Sequence, residues 1–239
     1  MIVAMRRFGG RAALVIGGGH GIGRAIAERL AGEGASVTVA DLDADAVGAV
    51  AESLAGAGHP ALGVPCDITR DDGPAAAAAA AAGRFGRLDV LVVAAGGDQA
   101  HPEFAETGND VWYAMLEVNL VGVARCIRAA LGYLLQAPSG GAVVTIGSVN
   151  GMTSFGSEPY SAAKAGLQNL TMNLSTQYGP RHKADGGPMP AADRLAGGER
   201  AEADRSCGST GSASPPRCTA PALRSTSVSR LWSAPTWSR

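Results

Sequence analysis

Ala12-Ala13-Leu14-Val15-Ile16, followed at once by Gly17-Gly18-Gly19-His20-Gly21-Ile22-Gly23, is the stretch that decides the fold. The five apolar residues read as a buried strand and the glycines as a sharp turn. Ile22 to Gly32, with Ile22, Ala25, Ile26 and Leu30 at helical spacing, reads as a helix opened by that turn. Glycine lets backbone bend tightly and lets an anion approach with no Cβ in the way. A helix N-terminus adds free N–H groups and the positive end of its dipole. A glycine cluster alone is an ordinary turn. Its position between strand and helix makes Gly17, Gly19, His20, Gly21, Ile22 and Gly23 candidate ligands for a pyrophosphate.

Outward from this turn, strand-like and helix-like segments alternate. Ser36 to Ala40 is β-rich and runs into Asp41, and Asp43 to Leu54 is helical. Ala61 to Val64 is a weak strand followed by Cys66-Asp67-Ile68. Pro74 and the eight alanines after it predict a helix, since proline suits a first turn and alanine an interior. Asp89 to Val93 is a strand leading to Ala94-Ala95-Gly96. Trp112 to Leu135 is a long helix, Ala142 to Ile146 a strand, and Tyr160 to Tyr178 a helix with Leu167, Leu170 and Leu174 on one face. Five strands separated by helices predict an α/β fold built on a doubly wound parallel sheet.

Composition narrows the function. The 239 residues carry a net charge of −1, which gives no electrostatic case for nucleic acid or an anionic membrane. No uninterrupted apolar run approaches the roughly 18 residues of a membrane span, and Met1 to Arg11 lacks the apolar centre of a signal peptide. A cytoplasmic protein is expected. Cys66, Cys126, Cys207 and Cys218 are far apart, as are His20, His59, His101 and His182, so reduced thiols and no metal site are expected. A break in composition falls near residue 181. Residues 1–181 hold 12 basic and 16 acidic side chains, whereas 182–239 hold 8 and 5. In that last stretch the only Leu, Ile, Val or Phe are Leu195, Leu223, Val228 and Leu231, too few to fold alone. The expected organisation is one dinucleotide-binding catalytic domain over 1–181 and a low-complexity, disordered tail over 182–239.

Several side chains carry chemistry. Asp41, at the end of the second strand, can accept both hydroxyls of an adenosine ribose and repel a 2′-phosphate, which favours NAD over NADP. A solvated loop aspartate is the alternative, and Arg24 is a counter-signal because a nearby base tolerates phosphate. Asp67 can take the adenine amino group or cap a helix. Tyr160 and Lys164 are four apart on a helix and share a face. A free phenol ionises near pH 10, so acid–base work near neutrality needs a cation beside it. Lys164 is the only lysine before residue 183, so a compact ammonium is used there rather than the arginine found at every other basic position. Ser148, just past the fifth strand, can hydrogen-bond a carbonyl. Asn119 lies inside the long helix, an unfavourable place unless its amide holds a water or a backbone carbonyl. His59, His101, Trp112 and Met152 read as surface or packing residues.

Together these residues resemble the short-chain dehydrogenase/reductase family from about Arg11 to Arg181. The family's Thr-Gly-x-x-x-Gly-x-Gly aligns with Ile16 to Gly23, its Asn-Asn-Ala-Gly with Val93-Ala94-Ala95-Gly96, and its Asn-Ser-Tyr-Lys set with Asn119, Ser148, Tyr160 and Lys164. The resemblance implies a Rossmann-like fold and NAD(P)-linked hydride transfer on a small alcohol or ketone. It implies Tyr160 as proton donor and Lys164 as ribose ligand and phenol activator. Ser148 is then the carbonyl anchor and Asn119 the support of a proton relay, with Asp67, Ile68, Ala94, Ala95 and Gly96 also lining the cofactor. It further implies a homo-oligomer, impaired here if the last strand is missing. Ile16 and Val93 depart from the pattern, removing two hydrogen bonds between cofactor loops, so looser cofactor binding is expected. The family's sixth strand, and the helices and strand that come after it, are not readable beyond Arg181; a frameshift is one explanation. The rival from another class is a non-catalytic nucleotide-binding remnant, and a flavodoxin-like protein is disfavoured by the Ser148, Tyr160 and Lys164 spacing.

Overall fold

A computed structural model describes residues 6–154 and 156–179; the tail expected from residue 182 lies outside them, with Cys207, Cys218 and His182. Five parallel strands form one sheet: β1 Ala12–Ile16, β2 Ser36–Asp41, β3 Ala61–Pro65, β4 Val90–Val93 and β5 Ala142–Thr145. Their order is β3-β2-β1-β4-β5, so the chain winds outward first one way and then the other from β1. That reversal makes the fold Rossmann-like and leaves a crevice at the carboxyl ends of β1 and β4, where ligands of such sheets bind. β1 and β4 are apolar and buried at every position, as a strand covered on both faces must be.

The helices are α1 Gly21–Gly32, α2 Ala44–Gly56, α3 Asp72–Phe85, α4 Asn109–Leu116, α5 Gly122–Leu135 and α6 Glu158–Tyr178. Strands and helices agree with the sequence reading, with bounds shifted by up to three residues, except that the expected long helix is interrupted. One face differs. On α1 the buried residues are Gly23, Ala27, Leu30 and Ala31, while Ile22 is 64% exposed. The first turn is rotated so that Gly23, lacking a side chain, lies against the glycine turn, which leaves Ile22 exposed. Two buried clusters fill the faces of the sheet. One joins Leu14, Ile16 and Leu91 to α3, α5 and Leu167 of α6. The other joins Val15, Val37 and Val39 to α1 and α2.

The expected long helix is α4 and α5 joined through a π-helical turn, Glu117–Val121. By length and composition Asn109–Leu135 could cross a bilayer. Here Met115, Val123, Cys126, Ile127, Ala130 and Leu134 face the core, and Asp110, Glu117, Arg125 and Arg128 interrupt it, as in a core helix. Cys66 and Cys126 are free buried thiols; burial pushes them up to about 11 and about 12, so they stay protonated.

Among the described residues β5 pairs only with β4, and Val143 and Val144 are 37% and 45% exposed. No charge or proline guards this Ala-Val-Val-Thr edge, a pattern that invites strand-to-strand association. Val144→Lys is expected to reduce concentration-dependent light scattering. Scattering unchanged in the variant would clear this edge of responsibility.

Candidate active site

The glycine turn meets β4 through backbone. Ala94 and Ala95 N–H both donate to the Ile16 carbonyl at 2.8 and 3.1 Å, and Gly17 and Gly18 N–H donate to Ala40 O at 2.7 and 3.0 Å. The contacts between the turn and its neighbouring strands at these positions are main-chain bonds. Contact is so close that a Cβ on Gly17 (φ +80°) would stand 2.3 Å from Ala95 N. Gly21 (φ +50°) instead has open space where a Cβ would point. His20 makes no side-chain cap on α1 and the first turn holds no acid, so the helix N-terminus is left for an external anion.

At the adenosine end, Asp41 Oδ2 accepts the Gly19 N–H at 2.9 Å, which fixes the carboxylate against the turn. His20 Nε2 lies 3.0 Å from Asp43 Oδ2. Asp43 caps α2, and its carboxyl is held below its ordinary value by the Ala46 N–H and by His20. Arg24 pairs with Glu28 at 2.8 Å rather than with anything at Asp41, which weakens it as a phosphate ligand. Asp67 does not cap α3. Its Oδ1 accepts the Thr69 hydroxyl and N–H at 2.7 and 2.9 Å, and these hold its carboxyl below the usual range. Ile68 follows it, buried.

At the other end of the crevice, Asn119 is fully buried in the π turn. Its amide donates to Gly97 O at 2.8 Å and to Met115 O at 3.1 Å, and its oxygen accepts the Gly97 N–H at 3.1 Å. The carbonyl-holding role expected of this residue is therefore filled, and the extra residue of the π turn is what turns the amide toward the loop after β4. Lys164 is 5% exposed and donates to Ile146 O at 2.9 Å. Burial pushes its ammonium below the ordinary lysine value. Asn119 and Lys164 converge on Gly96 (φ +151°), where a Cβ would lie 2.8 Å from Asn119 Oδ1 and 3.3 Å from Lys164 Nζ. A side chain there would push on both polar groups, and the positive φ itself favours glycine. The Lys164 Nζ is 5.6 Å from the centre of the Tyr160 ring.

Ser148 caps the short turn Val149–Gly151, accepting the Asn150 N–H at 3.2 Å while its hydroxyl donates to Asn150 Oδ1 at 3.0 Å. That turn packs against α6 beside Lys164: a Cβ on Gly151 would stand 2.8 Å from the Lys164 carbonyl carbon. Ser157 caps α6 through the Tyr160 N–H, with Pro159 in its first turn. A cleft of about 440 Å³ opens beside this helix start, lined by Asp98, His101, Glu103 and Glu158 among others. His101 is packed, with Nδ1 2.7 Å from Pro102 O, and Trp112 meets Phe104 edge-on. Gly97 and Ile146 act through backbone atoms, which no side-chain pattern announces. Among the described residues no group of three or more His, Cys, Asp or Glu could hold a metal.

The arrangement offers an anion site at a helix N-terminus, a carboxylate at the end of β2, and a phenol with a buried ammonium beside it. A profile of the short chain dehydrogenases matches residues 11–182. Over 172 residues the chain is 41% identical to a cis-4-hydroxycyclohexanecarboxylate dehydrogenase from Sinomonas cyclohexanicum, covering 72% of this chain and 68% of that one. It is 36% identical over 168 residues to the short-chain reductase protein NovJ from Streptomyces niveus, covering 70% and 63%. It thus spans about two thirds of the length of these curated relatives. A solved short chain dehydrogenase from Mycobacterium smegmatis superimposes with a TM-score of 0.70 at 33% identity over 75% of each chain. The match extends from just before β1 to just past α6 and so takes in every element that meets at the crevice; the chain belongs to the short-chain dehydrogenase/reductase family of NAD(P)-using oxidoreductases.

Proposed function

We propose that the protein is an NAD(H)-linked oxidoreductase that interconverts a small alcohol and its ketone, working in the cytoplasm. The convergence of Asn119 and Lys164 on Gly96, at the end of the crevice opposite Asp41, carries this reading. The residues present fit a dinucleotide. Gly17, Gly19, His20, Gly21, Ile22 and Gly23 would hold the pyrophosphate, and Asp41, Asp67 and Ile68 the adenosine. Ala94, Ala95, Gly96, Tyr160 and Lys164 would hold the nicotinamide half. When bound, this group supplies the hydride acceptor or donor.

The chain's own residues manage the proton and the substrate oxygen. Tyr160 holds the proton at its phenolic oxygen and passes it to, or takes it from, the substrate oxygen. Lys164, desolvated and anchored on Ile146 O, favours the phenolate by its charge. Ser148 is the hydroxyl that orients the substrate oxygen. Asn119 keeps the loop after β4 in register through Gly97. Titration with NADH and NADPH beside a turnover assay over open-chain and cyclic alcohols and ketones tests the reading. NADH binding with turnover supports it. Binding without turnover favours the second reading, a non-catalytic nucleotide-binding remnant.

The cofactor preference rests on Asp41. With Asp43 beside it and Arg24 engaged by Glu28, the adenosine end is acidic and disfavours a 2′-phosphate. Asp41→Ala is expected to narrow the gap between NADH and NADPH affinity by about tenfold, since it removes both an acceptor and a repulsion. Wild-type protein that binds NADPH more tightly than NADH would overturn the assignment.

A further inference from the structure

Arg125 lies on α5, is 16% exposed at its side chain, and joins two separate elements. Its Nε donates to Asp71 Oδ1 at 2.7 Å, and its Nη1 donates to Ile68 O at 2.9 Å and to Glu117 Oε1 at 2.6 Å. Ile68 and Asp71 belong to the loop between β3 and α3, which also carries Asp67. Glu117 opens the π turn that carries Asn119. One guanidinium therefore joins the loop that carries Asp67 to the turn that carries Asn119.

The Glu117 contact depends on the π turn. In an unbroken α-helix, residues eight apart differ by about 80° around the axis. A π turn absorbs one extra residue, so the pair behaves as if seven apart, about 20° from alignment. The π turn thus aligns the ion pair, and the same turn directs Asn119 at Gly97. Backbone is close enough to transmit a shift. A Cβ on Gly122 would stand 3.0 Å from Glu117 O, from Ile68 O and from Ile68 Cγ1 alike.

We propose that Arg125 is a positioning residue that couples occupancy of the adenosine end to the placement of Asn119. The inference rests on the cofactor reading above. A ligand that orders the loop at Asp67 and Ile68 fixes two of the acceptors of Arg125. The guanidinium so held stabilises Glu117 and the π turn, and by linkage an ordered π turn tightens the adenosine end.

ADP-ribose is the suitable probe, because it carries adenosine and both phosphates but no nicotinamide to touch Asn119 directly. Amide hydrogen exchange of residues 117–121 in the full chain is the readout. In wild type, saturating ADP-ribose is expected to slow exchange there by about fivefold or more. In Arg125→Met that slowing should fall below about twofold, with ADP-ribose bound only some threefold more weakly. Glu117→Gln keeps Arg125 on the loop while losing the ion pair, so it should lose the slowing and, by the same linkage, bind ADP-ribose no more than a few-fold more weakly. If Arg125→Met fails to fold, Glu117→Gln decides the matter alone. Slowing equal to wild type in the folded variants, or none in wild type with ADP-ribose bound, overturns the coupling. Failure of wild type to bind ADP-ribose instead removes the cofactor reading, and the inference with it.

Discussion

Tyr160→Phe is expected to lower turnover by about 10²–10⁴-fold while leaving the NADH dissociation constant within about twofold of wild type. Only the hydroxyl is deleted. The ring still packs on α6 with Lys164 Nζ 5.6 Å from its centre, and Lys164 still holds Ile146 O. The barrier rises by about 3–5 kcal/mol because no proton is delivered to the substrate oxygen. Lys164→Met separates the two roles of the pair. It removes the charge beside the phenol and should weaken NADH binding as well as turnover, whereas the Tyr160 variant spares binding. Steady-state rates paired with NADH fluorescence titration read both effects. Turnover retained in Tyr160→Phe would reject the proton role.

Gly23→Ala should have the larger effect on binding. A Cβ there would lie 1.9 Å from Gly17 O and 2.7 Å from Gly17 C. Gly17 cannot give way, because a shift of its own backbone meets Ala95, whose N lies 2.3 Å from where a Gly17 Cβ would be. Helix α1 must therefore move off the turn, taking its free N–H groups out of line with the pyrophosphate. We expect a destabilisation of about 3 kcal/mol, typical of severe overpacking, and a loss of NADH affinity of at least about 100-fold. Thermal unfolding and NADH titration check both. Gly21→Ala is the control for space, since nothing lies within 4 Å of its Cβ position, although its positive φ keeps some strain. Wild-type affinity in Gly23→Ala would mean that the turn is not the anion site.

Alternation of strands and helices is legible in the residues alone, because short runs rich in apolar and β-branched residues, set between helix-forming stretches, are a local signal that needs no knowledge of neighbours. Tyr160 and Lys164 are legible in the same way, since their four-residue spacing places them on one helical face wherever that helix packs. The order β3-β2-β1-β4-β5 and the crevice it creates come from chain crossings rather than from any one segment. Tertiary packing rotated α1 so that Gly23 rather than Ile22 faces inward, overriding the apolar spacing, because the turn leaves room for no side chain. It also inserted the π turn at Asn119, which a period of 3.6 residues hides, since the extra residue is held by bonds to Gly97, 22 positions away. Ile146 O and Gly97 entered the site through main-chain atoms, and Arg125 through partners on a distant loop. Such contacts depend on which backbones the fold brings together, and a one-dimensional pattern of side chains holds no record of that.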